Sequence, residues 1–501
     1  MGTSALPLGA NRISDYGTKI SYDPTWDGPL KVKRKAENVP FAIAYYLFVA
    51  LWVGIAIYAL VTGDAEKYSD FYRTSEDFVL KQGWILAVIV PLAAFWSILY
   101  LFLLRIAAKP VVYTSIAFLF IILFAHVIHQ GYLLYCDHSY MHIGGFISGI
   151  AVFIFFVFLF VWKYKFIPMA CEIVREASKR VSPIPILINQ KSESILNFFL
   201  LFRVILAFPL MLFFSLVHSM LVAAFFIFNL SLFIWIESIA SEDDYPSHLP
   251  FCHLVNALAL VWIICHLHAF FVVCVSGAYG TWYWTMNKKE VPFFTTLRFI
   301  YITFRYHIGP TAFGSLIITV CTILNCLIEE VSPTSAIDGN VGLANAGLAC
   351  CNTALYCIRV LVEAVTGMAY IRIGHHGTGL IHAGREAFTL FRRNYLKVAV
   401  INAIVIILAY FLIFTVFFGS VLLFWALLRL QSINVEQIIY LFVVLGICLF
   451  ILIWSIVQLL STAVDNIFMC VLEDFEMNGG TARPYHMSNK LKELVLENRL
   501  E

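Results

Sequence analysis

The chain has 501 residues, of which 61% are hydrophobic and only 13% charged. The 33 Lys and Arg nearly balance the 31 Asp and Glu, for a formal net charge of +2. A water-soluble domain carries about a quarter charged residues, so this composition excludes that class. No basic tract or nucleic-acid motif is present, and no nucleic-acid partner is expected.

Residues 1–40 form a mostly polar tail, expected to be extended, with Tyr22-Asp23-Pro24-Thr25-Trp26-Asp27-Gly28-Pro29 as its marked feature. No cleavable signal peptide is expected, because the first apolar stretch begins only after this tail and itself serves as the insertion signal. From there the fold class is all-α integral membrane, a polytopic bundle of about ten transmembrane helices. About 20 apolar residues cross the hydrocarbon of a bilayer. The expected spans are 41–62, 83–104, 111–135, 142–162, 200–236, 252–286, 308–328, 342–371, 398–428 and 437–468. The fifth is expected to kink at Pro209. Residues 166–185 read as an amphipathic helix on the cytosolic surface, with Met169, Ile173 and Ala177 on one side and Glu172, Arg175, Glu176 and Lys179 on the other. Residues 292–307 and 380–394 look similar. The division is a tail at 1–40, a membrane region at 41–470 and a charged C-terminal tail at 471–501.

Charge fixes the expected orientation. With the N-terminus in the cytosol, the loops assigned outside hold only Lys67, Arg73 and Lys81 of all the Lys and Arg. Arg203, Arg359 and Arg429 lie in or at the ends of spans, and all the others fall inside. Both termini are therefore expected in the cytosol. Cys136 and Cys252 fall near the outer face and are candidates for a disulfide. The sequon at Asn229 lies inside a span and should not be glycosylated.

The candidate functional groups are polar and aromatic residues at membrane depth. The run Gly277-Ala278-Tyr279-Gly280-Thr281-Trp282-Tyr283-Trp284 puts Tyr279 and Tyr283 on one helix face. Aromatic faces attract a weakly hydrated cation, but an interfacial aromatic belt gives the same pattern. Asp465 has no basic neighbour within its own helix, whereas Arg359 and Glu363 are four apart and can neutralise each other. His126, His129, His218, His253, His266 and His268 lie in spans, and imidazole titrates where a proton-coupled carrier needs it. A lone intramembrane histidine more often bonds a neighbouring helix. No metal-ligand spacing and no catalytic motif stands out, so no metal, no cofactor and no enzymatic activity are expected.

Several segments together carry a resemblance. They are the tail from Tyr22-Asp23-Pro24 to Gly28-Pro29, Glu176-Ala177-Ser178-Lys179, the run Gly277 to Trp284, Arg305-Tyr306-His307-Ile308-Gly309, and Ala312 to Ile317. Cys470-Val471-Leu472-Glu473-Asp474 and Asn478 to Tyr485 complete the set. In these the chain resembles the choline transporter-like family. The resemblance implies a ten-span transporter with both ends in the cytosol. It also implies transport of choline, or of ethanolamine, across a lipid bilayer for phospholipid synthesis with proton coupling; the plasma membrane is the expected location, and a mitochondrial or other organelle membrane the alternative. The chain departs from the family in a short first outside loop, 63–82, and in keeping only Cys350, Cys351 and Cys357 of a segment often richer in cysteine. On this basis Tyr279, Trp282 and Tyr283 are expected to line the path, with Asp465 or Glu363 balancing the cation. Arg305 and His307 are expected at an inner gate, and His266 or His126 as proton-coupling groups. The alternative is a non-transporting membrane scaffold or accessory subunit of the same fold; a lipid enzyme would need a reactive cluster, for which only His375, His376 and His382 offer themselves.

Overall fold

The protein is described from a computed structural model covering residues 26, 28–63, 66–136, 140–181, 210–240, 245–286, 290–292, 294–334, 342–429, 435–478 and 485–497. The expected features at Tyr22-Asp23-Pro24, Pro209 and Gly479-Gly480 lie outside the described residues. Among the described residues all regular structure is helical. The helices are α1 (Val39–Thr62), α2 (Glu66–Cys136), α3 (Tyr140–Lys163), α4 (Ile167–Val181), α5 (Leu210–Glu237) and α6 (Leu249–Trp284). They continue with α7 (Thr295–Ile302), a π-helical turn (Thr303–His307), α8 (Ile308–Thr334), α9 (Gly342–His376), α10 (Leu380–Leu428), α11 (Val435–Met477) and α12 (Asn489–Glu497). An apolar chain in lipid must satisfy every backbone N–H and C=O internally, which a helix does within one segment.

Nine helical stretches among the described residues are long and apolar enough to cross a membrane. One of them, Trp84–Cys136, is 53 residues long. At 1.5 Å per residue that is about 80 Å, against a hydrocarbon core of about 30 Å. The helix breaks in its middle at Ala107 (φ −128°, ψ 43°). Pro110, three residues on, has no N–H for the carbonyl of Ile106. Arg105 and Lys109 flank the break, so this stretch is long enough for two crossings, which brings the candidates among the described residues to the expected ten.

Three elements differ from expectation. The stretch 292–307 is not a separate surface helix, because α7, the π turn and α8 run on as one apolar stretch, Thr295–Leu327. Pro310 cannot bond the carbonyl of Tyr306, and the ladder slips by one residue just before it. α4 does not present its polar face to solvent. Residues 169–174 and 176–178 are all buried, Glu172 and Glu176 included. Its polar face is covered by protein: Arg175 and Lys490 pair with Glu172 at 3.5 and 3.4 Å. Finally, α11 continues to Met477, so the expected start of the C-terminal tail at 471 falls inside a helix. The amphipathic stretch 380–394 is set off from the rest of α10 at Asn394 (φ −126°), whose side-chain amide donates to the Leu390 carbonyl. Such a local bond competes with the helix ladder.

Two apolar cores form. The larger joins α2, α4, α6, α9, α10 and α11. The smaller joins α1, α5 and the first half of α6. α6 runs through both. In the smaller core Asn229 and Asn256 bond reciprocally: Asn229 Nδ2 donates to Asn256 Oδ1 at 2.8 Å, and Asn256 Nδ2 to the Asn229 carbonyl at 3.1 Å. Trp52 Nε1 donates to the same Asn256 Oδ1 at 3.0 Å. Asn229 is thus buried between helices. Cys136 and Cys252 are both free thiols.

Replacing Asn256 with Leu removes all three interhelical contacts of one side chain. The expected cost is about 1–3 kcal/mol, read as a lower midpoint of thermal unfolding in detergent. Asn229→Leu acts on the same network, so the double variant should cost less than the sum of the two.

Candidate functional site: a cavity among four helices

Along α11, Trp454, Gln458, Ser461, Thr462, Asp465 and Phe468 recur every three or four residues, so they share one helix face. That face closes a cavity of about 340 Å³, at the lower end of the roughly 300–1,000 Å³ usual for small-molecule sites. α6 contributes His268 and Val272, α9 contributes Glu363 through Ile371, and α10 contributes Val398 and Asn402.

The two carboxylates in the wall differ. Glu363 Oε1 accepts from Arg359 Nε at 2.8 Å, one helical turn away. Asp465 faces the cavity, half-buried, and no hydrogen bond or ion pair reaches it among the described residues. An unpaired carboxylate at membrane depth is costly, and such groups as a class face a cavity or a partner. Trp454 and Phe468 bring two aromatic rings to the same wall.

Gln458 is held from behind. His218 Nε2 lies 3.1 Å from the Leu267 carbonyl, which can only accept, so that nitrogen carries the proton. His218 Nδ1 is then an acceptor, and the group 2.9 Å from it must be the amide nitrogen of Gln458. The same nitrogen donates to Ser215 Oγ and Ser219 Oγ at 3.3 and 3.2 Å. α5 thereby fixes one side of the cavity without touching its interior.

The residues expected from the sequence divide. Asp465 and Glu363 come together in the cavity. Tyr279, Trp282 and Tyr283 do not line it. Tyr279 is fully buried, and its hydroxyl donates to the Ala177 carbonyl at 3.4 Å. The Tyr283 hydroxyl donates to Asp474 Oδ2 at 2.9 Å. Trp282 packs, half-buried, on the larger core. These residues lie two or more turns beyond Val272, at the end of α6. His266 is buried against the Tyr45 ring, centroids 4.0 Å apart. His268, two residues on and therefore on another face of the helix, lines the cavity instead. His126 is exposed on α2 beside Gly149 of α3. Arg305 is exposed and bonds Tyr306 at 3.2 Å. His307 is buried in the π turn, with Nε2 2.7 Å from Arg34 Nη1. Trp454, Gln458 and Phe468 were not foreseen; the polar stripe on α11 was the signal for them.

The end of the bundle past the cavity holds a polar network. Glu473 takes Arg372 at 2.9 Å and His376 at 2.7 Å, and Arg372 also reaches Glu386. Asp474 accepts from Tyr283, from Asn478 Nδ2 at 2.7 Å, and from the backbone N–H of His486 and Met487 at 2.8 and 3.0 Å. His375 bonds Asn466 at 2.8 Å, and Asn466 in turn donates to Ser276 at 2.7 Å.

Comparison with known proteins finds one family model, "Plasma-membrane choline transporter", matching residues 146–476. Among curated relatives, "Choline transporter-like 2" of Anopheles gambiae is 31% identical over 259 residues, 51% of this chain and 32% of that protein. "Choline transporter-like protein 5" of Macaca fascicularis is 29% identical over 272 residues, 51% and 37% of the two chains. "Choline transporter-like protein 1" of Caenorhabditis elegans is 28% identical over 253 residues, 48% and 32%. The matched stretch thus spans about a third of the length of these relatives.

The Tyr283 hydroxyl is one of four donors to a buried carboxylate. Tyr283→Phe should destabilise the protein by about 1.5–3 kcal/mol, seen as a lower thermal midpoint, with no change in secondary structure by circular dichroism.

Proposed function

The chain belongs to the plasma-membrane choline transporter family, and from that premise we propose that it carries choline across a membrane through the cavity walled by Asp465. The observation that carries the reading is this carboxylate, unpaired at membrane depth and facing a space of ligand size. Choline is a trimethylammonium with a hydroxyl. Its cationic head is weakly hydrated and favours aromatic faces beside a negative charge. Trp454 and Phe468 supply the faces and Asp465 the charge. Asn402, Ser461 and Thr462 supply partners for the hydroxyl. Glu363 contributes less, because Arg359 already neutralises it. Ethanolamine is the second substrate we assign, since it shares the charge and the hydroxyl.

The aromatic run at 279–284 serves packing at the end of α6 in this reading. We assign that end of the bundle, with the N-terminal segment, α4 and α12, to the cytosol, on the Lys and Arg count across the loops. Proton coupling is the finer proposal, with Asp465 as the group that takes the proton when the cation leaves.

Uptake of labelled choline into proteoliposomes of the purified protein tests these assignments. Saturable uptake, blocked by excess unlabelled choline, is expected. Asp465→Asn should lower it by about tenfold or more, the equivalent of about 1.4 kcal/mol. Trp454→Leu should raise the half-saturating concentration several-fold. Wild-type uptake per folded Asp465→Asn molecule would remove Asp465 from the site. A pH gradient should stimulate uptake; equal rates with and without it would reject coupling and leave carriage standing. No uptake by the folded wild-type protein would favour a non-transporting membrane subunit.

A further inference from the structure

The segment before α1 crosses the end of the bundle beyond the cavity. Trp26 stacks on His376 and meets Trp284 edge-on, both with ring centroids 4.9 Å away. Pro29 packs so closely on Gly280 that a Cβ there would stand 3.1 Å from its Cγ. The chain then runs extended: Lys31, Lys33 and Lys35 are exposed, while Val32 and Arg34 turn inward. At Asn38 the backbone is left-handed (φ 53°), a conformation Asn tolerates better than most residues. Its side chain accepts from the Leu380 N–H at 3.1 Å and so caps α10. Its carbonyl and that of Glu37 lie against Gly309, leaving no room for a side chain at that position.

Arg34 is the deepest contact. Nη2 donates to the Gly374 carbonyl at 2.7 Å, and Nη1 to the Ile373 carbonyl at 3.2 Å. Nη1 also donates to His307 Nε2 at 2.7 Å, and the guanidinium carbon stands 5.3 Å from the centre of the Phe299 ring. Enclosure by protein pushes the guanidinium down to about 10, which still leaves it protonated at neutral pH. Among the described residues no carboxylate pairs with it. Besides His307 and the Pro29 carbonyl of its own segment, its partners are carbonyls in the last turn of α9, the negative end of that helix. Each contact is modest, and all depend on the segment lying in place.

This contact lies beyond the cavity along both α6 and α9. On α9, Ile371 lines the cavity, and Ile373 and Gly374 hold Arg34. On α6, Val272 lines the cavity, and Gly280 and Trp284 hold Pro29 and Trp26. We propose that Trp26 and residues 28–38 form a strap that closes the cavity at this end of the bundle, latched by Arg34 in the end of α9. The strap lifts for a ligand to pass on that side. The role as a transport gate rests on the carrier reading; the closure itself does not. A cation without a carboxylate suits a latch that must release, since no strong ion pair has to be broken.

The test uses the full chain in detergent, with Arg34→Ala and Arg34→Lys. Two readouts are taken. Trypsin cleavage after Lys31, Lys33 or Lys35 reports release of the strap. Labelling of Asp465 by a water-soluble carbodiimide with glycine ethyl ester, quantified by mass spectrometry, reports water reaching the cavity. Arg34→Ala should raise both by about tenfold, the scale of losing one charged hydrogen-bonding group. Arg34→Lys keeps the charge without the fork and should fall between. Unchanged cleavage overturns the latch. Faster cleavage with unchanged Asp465 labelling overturns the closure. Should the Ala variant not fold, the Lys variant decides by the same two readouts. Neither readout uses choline, so a wild-type protein that takes up no choline would refute the substrate and leave the strap to stand on these results.

Discussion

Two consecutive carboxylates, Glu473 and Asp474, hold one end of this membrane protein together. Neighbours on a helix point about 100° apart, so the pair at the end of α11 reaches two different sets of partners. Glu473 faces Arg372 and His376 of α9. Asp474 faces α6 through Tyr283 and the C-terminal segment through Asn478 and two backbone N–H groups. Both are almost completely buried. Buried charges persist only when their hydrogen-bonding capacity is filled. The positions of α6, α9 and the C-terminal segment are therefore set jointly rather than helix by helix. The floor under His376, on which Trp26 stacks, is part of the same arrangement.

The cavity sits where such constraints are fewest. The larger core packs around it, and Gly367 offers no side chain to fill it. Gln458 is the best-fixed wall residue, through its bonds to α5. Asp465, about two turns along the same face, has no such support. An amide nitrogen held by three acceptors, beside a carboxylate held by none among the described residues, separates shape from charge: one defines the space, and the other is available to an occupant.

The fold was legible because the rules that govern lipid-facing chains are strict. Long apolar runs must be helices, and the spans at 41–62, 142–162 and 398–428 lie within α1, α3 and α10. The elbow in α2 was readable from the charges Arg105 and Lys109 beside Pro110. The cover over α4 was not legible, because an amphipathic pattern says that one face is apolar and not what covers the other. Its Glu172 is met by Lys490 from a segment more than 300 residues away, which no local pattern reveals. The site was half legible. Charge at membrane depth singled out Asp465 and Glu363, since burial of a carboxylate is costly wherever it occurs. The aromatic run at 279–284 was the louder signal, but density of aromatics does not say which way each ring turns. His266 and His268 show the limit most sharply: the helix separates them by about 200°, and only the packing of α1 decides which one meets Tyr45.

The pairing of Arg359 with Glu363 has an electrical consequence. With those two charges cancelling, the wall of the cavity carries one uncompensated negative charge, on Asp465. A monovalent cation seated beside it makes the site neutral. On the carrier reading, the loaded protein then moves no net charge through the membrane field. The empty protein carries one charge if Asp465 returns bare, and none if it returns protonated. A potential of 100 mV acts on one charge with about 2.3 kcal/mol. Voltage would thus govern the return of a bare site, and a proton on Asp465 would remove that dependence.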